Sequence, residues 1–160
     1  MIINDIKKLA KENKVIVLFD MDGVLAEYGV GEKERIASNE PNLFLKARPL
    51  FENIKKAKKI SKIKNVIVGI QSNCQYKEQK QDKKVWIQKY VPFVSKEDIN
   101  IIALKEIEYE KETKYSLKAK YIKNKYVNGE VVILIDDDHH IIKETLKQGI
   151  KVYHVSSLID

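Results

Sequence analysis

The stretch VIVLFDMDGVLAEY, from Val15 to Tyr28, decides how this chain folds. Five apolar residues, Val15 to Phe19, run directly into Asp20 and Asp22, and Gly23 follows at once. A short, largely β-branched run of this kind is a strand covered on both faces. Ending it on two carboxylates one residue apart places like charges at the rim of a core, which folding avoids unless a cation meets them.

Outward from this stretch the chain alternates short apolar runs with helical patterns. Ile2, Ile3, Ile6 and Leu9 recur at helical spacing before the first strand. A loop-rich interval through GVGEKERIASNEPN leads to Pro49, expected in the first turn of a helix carrying LFENIKKAKKI. NVIVGI, from Asn65 to Ile70, reads as a second strand that ends in QSNC. KEQKQDKKVWIQKYV predicts a helix with Val85, Trp86 and Tyr90 on its apolar side, stopped by Pro92. INIIAL is a third strand, and KYSLKAKYIKNKYV a helix with Leu117, Tyr121 and Ile122 inward. VVILI, the helix HIIKETLKQ stopped by Gly149, and the strand KVYHV complete the pattern. Five strands alternating with helices predict a three-layer α/β domain with a mainly parallel sheet. No repeat, low-complexity tract or linker divides the 160 residues, so one domain over 1–160 is expected.

Composition narrows the function classes. No apolar run approaches the roughly 20 residues of a membrane span, and MIINDIKKLAKENK is amphipathic rather than signal-like. The single cysteine, Cys74, forms no internal disulfide, in keeping with a reducing, cytoplasmic setting. A cysteine phosphatase needs an arginine six positions after its nucleophile, and that position is Lys80, so Cys74 reads as a small buried residue. The net charge of +7 comes from lysine, with Arg35 and Arg48 the only arginines. Such a field attracts anions, including phosphate esters. The run KKAKKISKIK, from Lys55 to Lys64, has neither the arginine forks nor the aromatic platforms of base recognition, so a solvated surface is favoured over a nucleic-acid site.

In a parallel sheet, ligands sit beyond the carboxyl ends of the strands near the point where strand order reverses. Asp20 with Asp22, Ser72 with Asn73, and Asp136, Asp137 and Asp138 all fall at such ends. Carboxylates gathered there call for a hard divalent ion with oxygen ligands, and Mg²⁺ suits a site that also takes phosphate. An aspartate in such a site can attack phosphorus, a second acid can serve the leaving oxygen and then the water, and a hydroxyl and an ammonium can hold the phosphoryl oxygens. Ser72 and a downstream lysine supply the last two.

Four motifs in this order, FDMDGVLAEY, VGIQSNC, a lysine opening KAKYIKNKY, and VVILIDDDHH, resemble the haloacid dehalogenase superfamily of phosphatases and phosphotransferases. The resemblance spans residues 15–140. It implies a Rossmann-like, five-stranded fold with only a small cap or flap over about residues 27–47. It also implies Asp20 as nucleophile and metal ligand, and Asp22 as general acid and base with its backbone carbonyl on the metal. Ser72 would bind the phosphoryl group with Asn73 beside it, and Asp136 would be the remaining metal ligand, with Asp137 supporting it directly or through water. Lys114, Lys118 and Lys120 all compete for the lysine role; Lys118 is chosen because it stands three residues before an aromatic expected to be buried. Asp138 is assigned to capping the next helix. His139 and His140 start that helix and read as surface rather than metal ligands, His154 as packing, and Arg48 with Pro49 as structural.

The acid at Asp22 favours phosphate esters over dehalogenation within that superfamily. The motif set is closest to its nucleotidase-like branch, from which Gln71 and the short cap depart. The expected function is Mg²⁺-dependent hydrolysis of a small-molecule phosphomonoester, with nucleotides as candidates and a polynucleotide end or phosphoprotein as alternatives. A signalling receiver domain would carry its acidic pair first and its phosphorylated aspartate later, the reverse of the order here. A non-catalytic module binding nucleic acid or protein is the alternative from another class.

Overall fold

Val15–Phe19 forms strand β1 with all five side chains buried, in a computed structural model that describes residues 1–159. Asp160, the last residue of the expected domain, lies outside the described residues. Helix α1 (Ile2–Leu9) precedes β1, and α2 (Glu32–Ala37) and α3 (Phe51–Ser61) follow it. Then come β2 (Val66–Cys74), α4 (Lys77–Tyr90), β3 (Ile99–Ala103), α5 (Leu117–Lys125), β4 (Val131–Asp136), α6 (His139–Lys147) and β5 (Lys151–His154). The strands pair in the order β3-β2-β1-β4-β5, and every pairing is parallel. β1 is therefore central, flanked by β2 in register Val15 with Val66 and by β4 in register Val15 with Val131.

Alternation along the strands feeds two cores. Val15, Val17 and Phe19 pack with Ile6, Ile54, Ile60, Trp86 and Ile87 on the face covered by α1, α3 and α4. Ile16 and Leu18 pack with Leu134, Ala119 and Ile122 on the face covered by α5 and α6. This is why β1 is apolar at every position: both faces are dry. Among the described residues no helix is long and apolar enough to cross a membrane.

The structure departs from the expected element pattern in five places. β2 runs on past Ile70 through QSNC, because Gln71 to Cys74 pair with Asn100 to Ala103 of β3. Pro49 stands before α3 rather than in its first turn; it forms an antiparallel bridge with Ala26, and Leu50 is the N-cap. The interval expected to be loop contains α2 and a 3₁₀ turn at Phe44–Lys46, pinned to α4 by Tyr76 Oη donating to Ala37 O at 3.0 Å and Gln79 Nε2 to Ile36 O at 2.8 Å. On α4, Val85 is 55% exposed, and the buried face is Gln79, Lys83, Trp86 and Ile87. On α5, Tyr121 is 40% exposed, and Lys118, Ala119 and Ile122 face inward. Both helices turn a lysine toward the carboxyl edge of the sheet, which rotates the neighbouring apolar residue out to solvent.

Candidate active site

The carboxyl ends of β1 and β4 lie side by side, and Asp20 and Asp136 extend them. Lys118 reaches both from α5, with Nζ 3.2 Å from Asp20 Oδ1 and 2.7 Å from Asp136 Oδ2. The lysine is buried, and burial opposes its charge, but the two carboxylates outweigh that and raise its pKa. Asp20 Oδ1 also accepts from the Met21 amide at 2.8 Å. Among the described residues both contacts to Asp20 fall on Oδ1, so Oδ2 is the oxygen it can present to an electrophile. Asp136 Oδ1 accepts from the Asp138 amide at 3.0 Å, and burial pushes its carboxyl up in spite of Lys118. Asp138 caps α6 through the His140 amide at 2.8 Å and the Ile141 amide at 3.4 Å.

Asp20, Asp136 and Asp137 each place a carboxylate oxygen within 4.8 Å of the others, a group that could hold a metal ion. Three carboxylates stand there against the single ammonium of Lys118, and the excess negative charge is visible in Asp137. Burial and then its two acidic neighbours push its carboxyl up to about 7. Nearby, Asn73 Oδ1 is buried with no hydrogen-bond partner among the described residues. An all-oxygen set of this kind fits a hard ion such as Mg²⁺.

Gly23 makes this approach of chains feasible. Its φ of +75° is unfavourable for any side chain, and a Cβ there would lie 2.0 Å from Asp137 Oδ2. Gly23→Ala is expected to cost about 1–2 kcal/mol in backbone strain and to push the Asp137 carboxylate away. Urea unfolding with and without Mg²⁺ checks both effects: the variant should be less stable and should lose the stabilisation that Mg²⁺ confers on the wild type.

The raised Asp137 carboxyl gives a pH dependence with a definite sign. A carboxyl held above its ordinary 3.8 binds its proton more tightly in the folded state, so it contributes stability that is full below 3.8 and lost as pH rises through about 7. In chelator, melting temperature is expected to decline over that interval, and Asp137→Asn should remove part of the decline. In wild type the gain on adding Mg²⁺ should grow over the same interval, because the ion competes with the proton.

Asp22 lies in a different environment. Its Oδ2 accepts from Lys83 Nζ at 2.6 Å, and the same ammonium donates to Ser72 Oγ at 2.8 Å and Asn73 O at 2.9 Å. Burial pushes the Asp22 carboxyl up, Lys83 pulls against this, and Asp20 adds to the rise. A cavity of about 430 Å³ opens over the cluster, lined by Asp20, Asp22, Asn73, Cys74, Lys118 and Asp137, with Tyr28, Lys33, Lys114 and Tyr115 also in its wall.

The structure thus brings Asp20, Asp22, Asn73, Lys118 and Asp137 to one cavity, with Asp136 directly behind. It does not put Ser72 on the wall, because alternation along β2 turns that side chain toward α4. Lys118 sits between Asp20 and Asp136, although Tyr121, the aromatic expected to be buried three residues on, is exposed. Lys114 lines the cavity, whereas Lys120 is exposed on another part of the surface. Cys74 is buried and its thiol is pushed up to about 11 by burial, the opposite of an activated nucleophile. Arg48 pairs with Glu27 at 3.4 Å and is not among the lining residues. His139 and His140 are exposed, stacked on His154 and Tyr115 at 5.2 and 4.8 Å. His154 Nδ1 accepts from the Ser156 amide. Sequence reading missed Lys83 altogether. Its signal was positional: it lies on one helical face with Gln79, Trp86 and Ile87.

No protein-family model and no curated protein matches the chain. Among solved structures, a chain of the "Structure of Pnkp1/Rnl/Hen1 complex" superposes with TM-score 0.62 at 12% identity, covering 89% of this chain and 46% of that one. This chain therefore spans about half the length of that neighbour, and the likeness is one of fold. An uncharacterized protein from Corynebacterium glutamicum superposes with TM-score 0.47 at 14% identity, covering 88% of this chain and 83% of that one, and carries no argument. The all-parallel five-stranded sheet with helices on both faces agrees with the Rossmann-like α/β architecture expected from the sequence.

Proposed function

We propose that the protein is a cytoplasmic, Mg²⁺-dependent phosphomonoester hydrolase of the haloacid dehalogenase type, acting through an aspartyl phosphate on Asp20. The observation that carries this reading is the placement of Lys118 between Asp20 and Asp136, with Asp137 alongside, at the floor of an open cavity. Such a site holds a nucleophilic carboxylate beside a fixed cation, which lets an anionic phosphate ester approach it.

In this reading Asp20 Oδ2 attacks phosphorus, and the bond to the ester oxygen breaks. Asp22 gives its proton to that departing oxygen. Asp22, now ionised, takes a proton from water, whose oxygen attacks the phosphorus of the acyl phosphate and releases Asp20 and inorganic phosphate. Lys118 offsets the negative charge of Asp20 and the phosphoryl oxygens, and Asn73 offers its side chain to the same oxygens. Asp20, Asp136 and Asp137 would hold Mg²⁺, with the backbone carbonyl of Asp22 as a further ligand, and the ion would supply charge neutralisation at the phosphoryl group. Burial raises the carboxyl of Asp22 against the pull of Lys83, the direction that favours a proton donor.

Nucleotides are the favoured substrates. Tyr28 and Tyr115 put partly exposed rings on the cavity wall, and Lys33 and Lys114 put ammonium groups beside them. Rings of this kind stack on bases, and the lysines meet phosphates. The test is a turnover screen over mononucleotides, 3′- and 5′-phosphorylated oligonucleotides, a phosphopeptide, sugar phosphates and p-nitrophenyl phosphate, in Mg²⁺ and in chelator. Turnover of nucleotides in Mg²⁺ alone is the expected result; no turnover of any ester overturns the hydrolase reading and leaves a binding module.

A further inference from the structure

We infer that Lys83 is a positioning residue that fixes Asp22 for proton transfer to the leaving group, an inference that rests on the hydrolase reading above. Lys83 has 0% exposure and is not among the residues that line the cavity, so it acts on a substrate only through another group. A lysine with no access to water stays in a core only when its ammonium is fully engaged. Here all three donors are used: Asp22 Oδ2 at 2.6 Å, Ser72 Oγ at 2.8 Å and Asn73 O at 2.9 Å. Phe44 covers the ammonium, its ring centroid 4.5 Å from Nζ.

These partners come from three separate elements. Asp22 belongs to the loop after β1, Ser72 and Asn73 to the end of β2, and Phe44 to the 3₁₀ turn of the flap region. Lys83, projecting from α4, is the point at which they are joined. The two acids of the first motif are thereby anchored from opposite sides of the sheet: Asp20 by Lys118 from α5, Asp22 by Lys83 from α4. With Oδ2 of Asp22 held by the ammonium, Oδ1 is left as the oxygen that carries a proton to and from the cavity. Ser72, whose hydroxyl accepts from Lys83, serves the same anchor from within β2.

General-acid assistance matters most for a poor leaving group and least for an acidic phenol, and this separates positioning from a merely structural role. The experiment compares kcat/KM for an alkyl phosphate ester and for p-nitrophenyl phosphate in wild type, Lys83→Met, Lys83→Arg, Asp22→Asn and the Lys83→Met/Asp22→Asn double variant. The expected result is a loss on the order of a hundredfold for the alkyl ester in Lys83→Met and a far smaller loss for the aryl ester. KM should hold nearly constant, Lys83→Arg should recover part of the alkyl activity, and the double variant should be no more selective than Asp22→Asn alone. Equal losses on both esters, or no loss on either, overturn the positioning role while leaving the hydrolase reading intact. Failure of the wild type to turn over either ester overturns both. Circular dichroism monitors folding, and if Lys83→Met does not fold, Lys83→Gln, which retains donors for Ser72 and Asn73, replaces it with the same selective loss expected and the same equal loss overturning.

Discussion

Asp20→Asn is expected to lower kcat/KM for every phosphate ester at least about a thousandfold, equivalent to about 4 kcal/mol of lost transition-state stabilisation. The reason is local. Oδ1 of Asp20 is committed to the Met21 amide and to Lys118, so the proposed attack on phosphorus depends on Oδ2. An amide keeps the shape of the side chain but replaces one carboxylate oxygen with a non-nucleophilic nitrogen. It also removes a negative charge from the group formed with Asp136 and Asp137, so the affinity for Mg²⁺ should fall. Folding should be preserved, and in chelator the variant should be no less stable than wild type, because one of three mutually repelling carboxylates is gone. Quenched-flow labelling with a phosphorus-labelled substrate checks the chemistry: wild type should give an acid-stable, hydroxylamine-labile phosphoprotein, and Asp20→Asn none. A variant that retains full turnover would remove Asp20 from the mechanism.

Lys118→Met should be the most destabilising single change at the site, costing about 3–5 kcal/mol near neutral pH. The substitution leaves Asp136 with no exposed surface and Asp20 with little, the two facing each other without the cation between them. The pH dependence follows from the sign of the shift. Burial already holds the Asp136 carboxyl above its ordinary value, and loss of Lys118 takes away the group that opposes this. A carboxyl whose folded pKa is raised stabilises the fold while it is protonated and ceases to do so as pH rises through that pKa. The deficit relative to wild type should therefore be small in mildly acid solution and large above neutrality. Mg²⁺ should restore part of it, since a divalent ion among the same oxygens replaces the lost charge. Denaturant titrations at about pH 5 and about pH 8, each with Mg²⁺ and with chelator, measure all three effects.

The sequence carried the architecture because each strand announced itself by composition and each helix by period. Val15–Phe19 and VVILI are runs that two covered faces demand, and the acids that follow them fall at the carboxyl edge by sequence order alone. Pairings were harder to read. QSNC has the polarity of a loop and is nevertheless strand, because hydrogen bonding to Asn100–Ala103 depends on a partner some 30 positions away. Lys83 was hidden for a related reason. In KEQKQDKKVWIQKYV a lysine among six charged residues reads as solvent-facing, and only the helical face it shares with Trp86 marks it as inward. Tyr121 shows the reverse: an aromatic expected inward stands on the surface, while Lys118 and Ala119 take the interior. The cost of burying an ammonium is offset only by acids that other parts of the chain deliver, and local sequence does not contain them.

The central position of β1 has a bearing on how the molecule comes into being. β1 must wait for β4, whose Val131 pairs with Val15 across most of the chain, before its second edge is closed. Parallel pairings this remote are late events, since the entropy of closing a long loop is incurred before any contact repays it. Asp20 and Asp22 leave the ribosome more than 100 residues before Asp136 and Asp137. A chain that stops before β4 would thus carry Asp20 without Asp136 and Asp137, the acids with which it could hold a metal ion. Closure of the site therefore falls late in folding, and a divalent ion held by these three carboxylates would favour the finished topology.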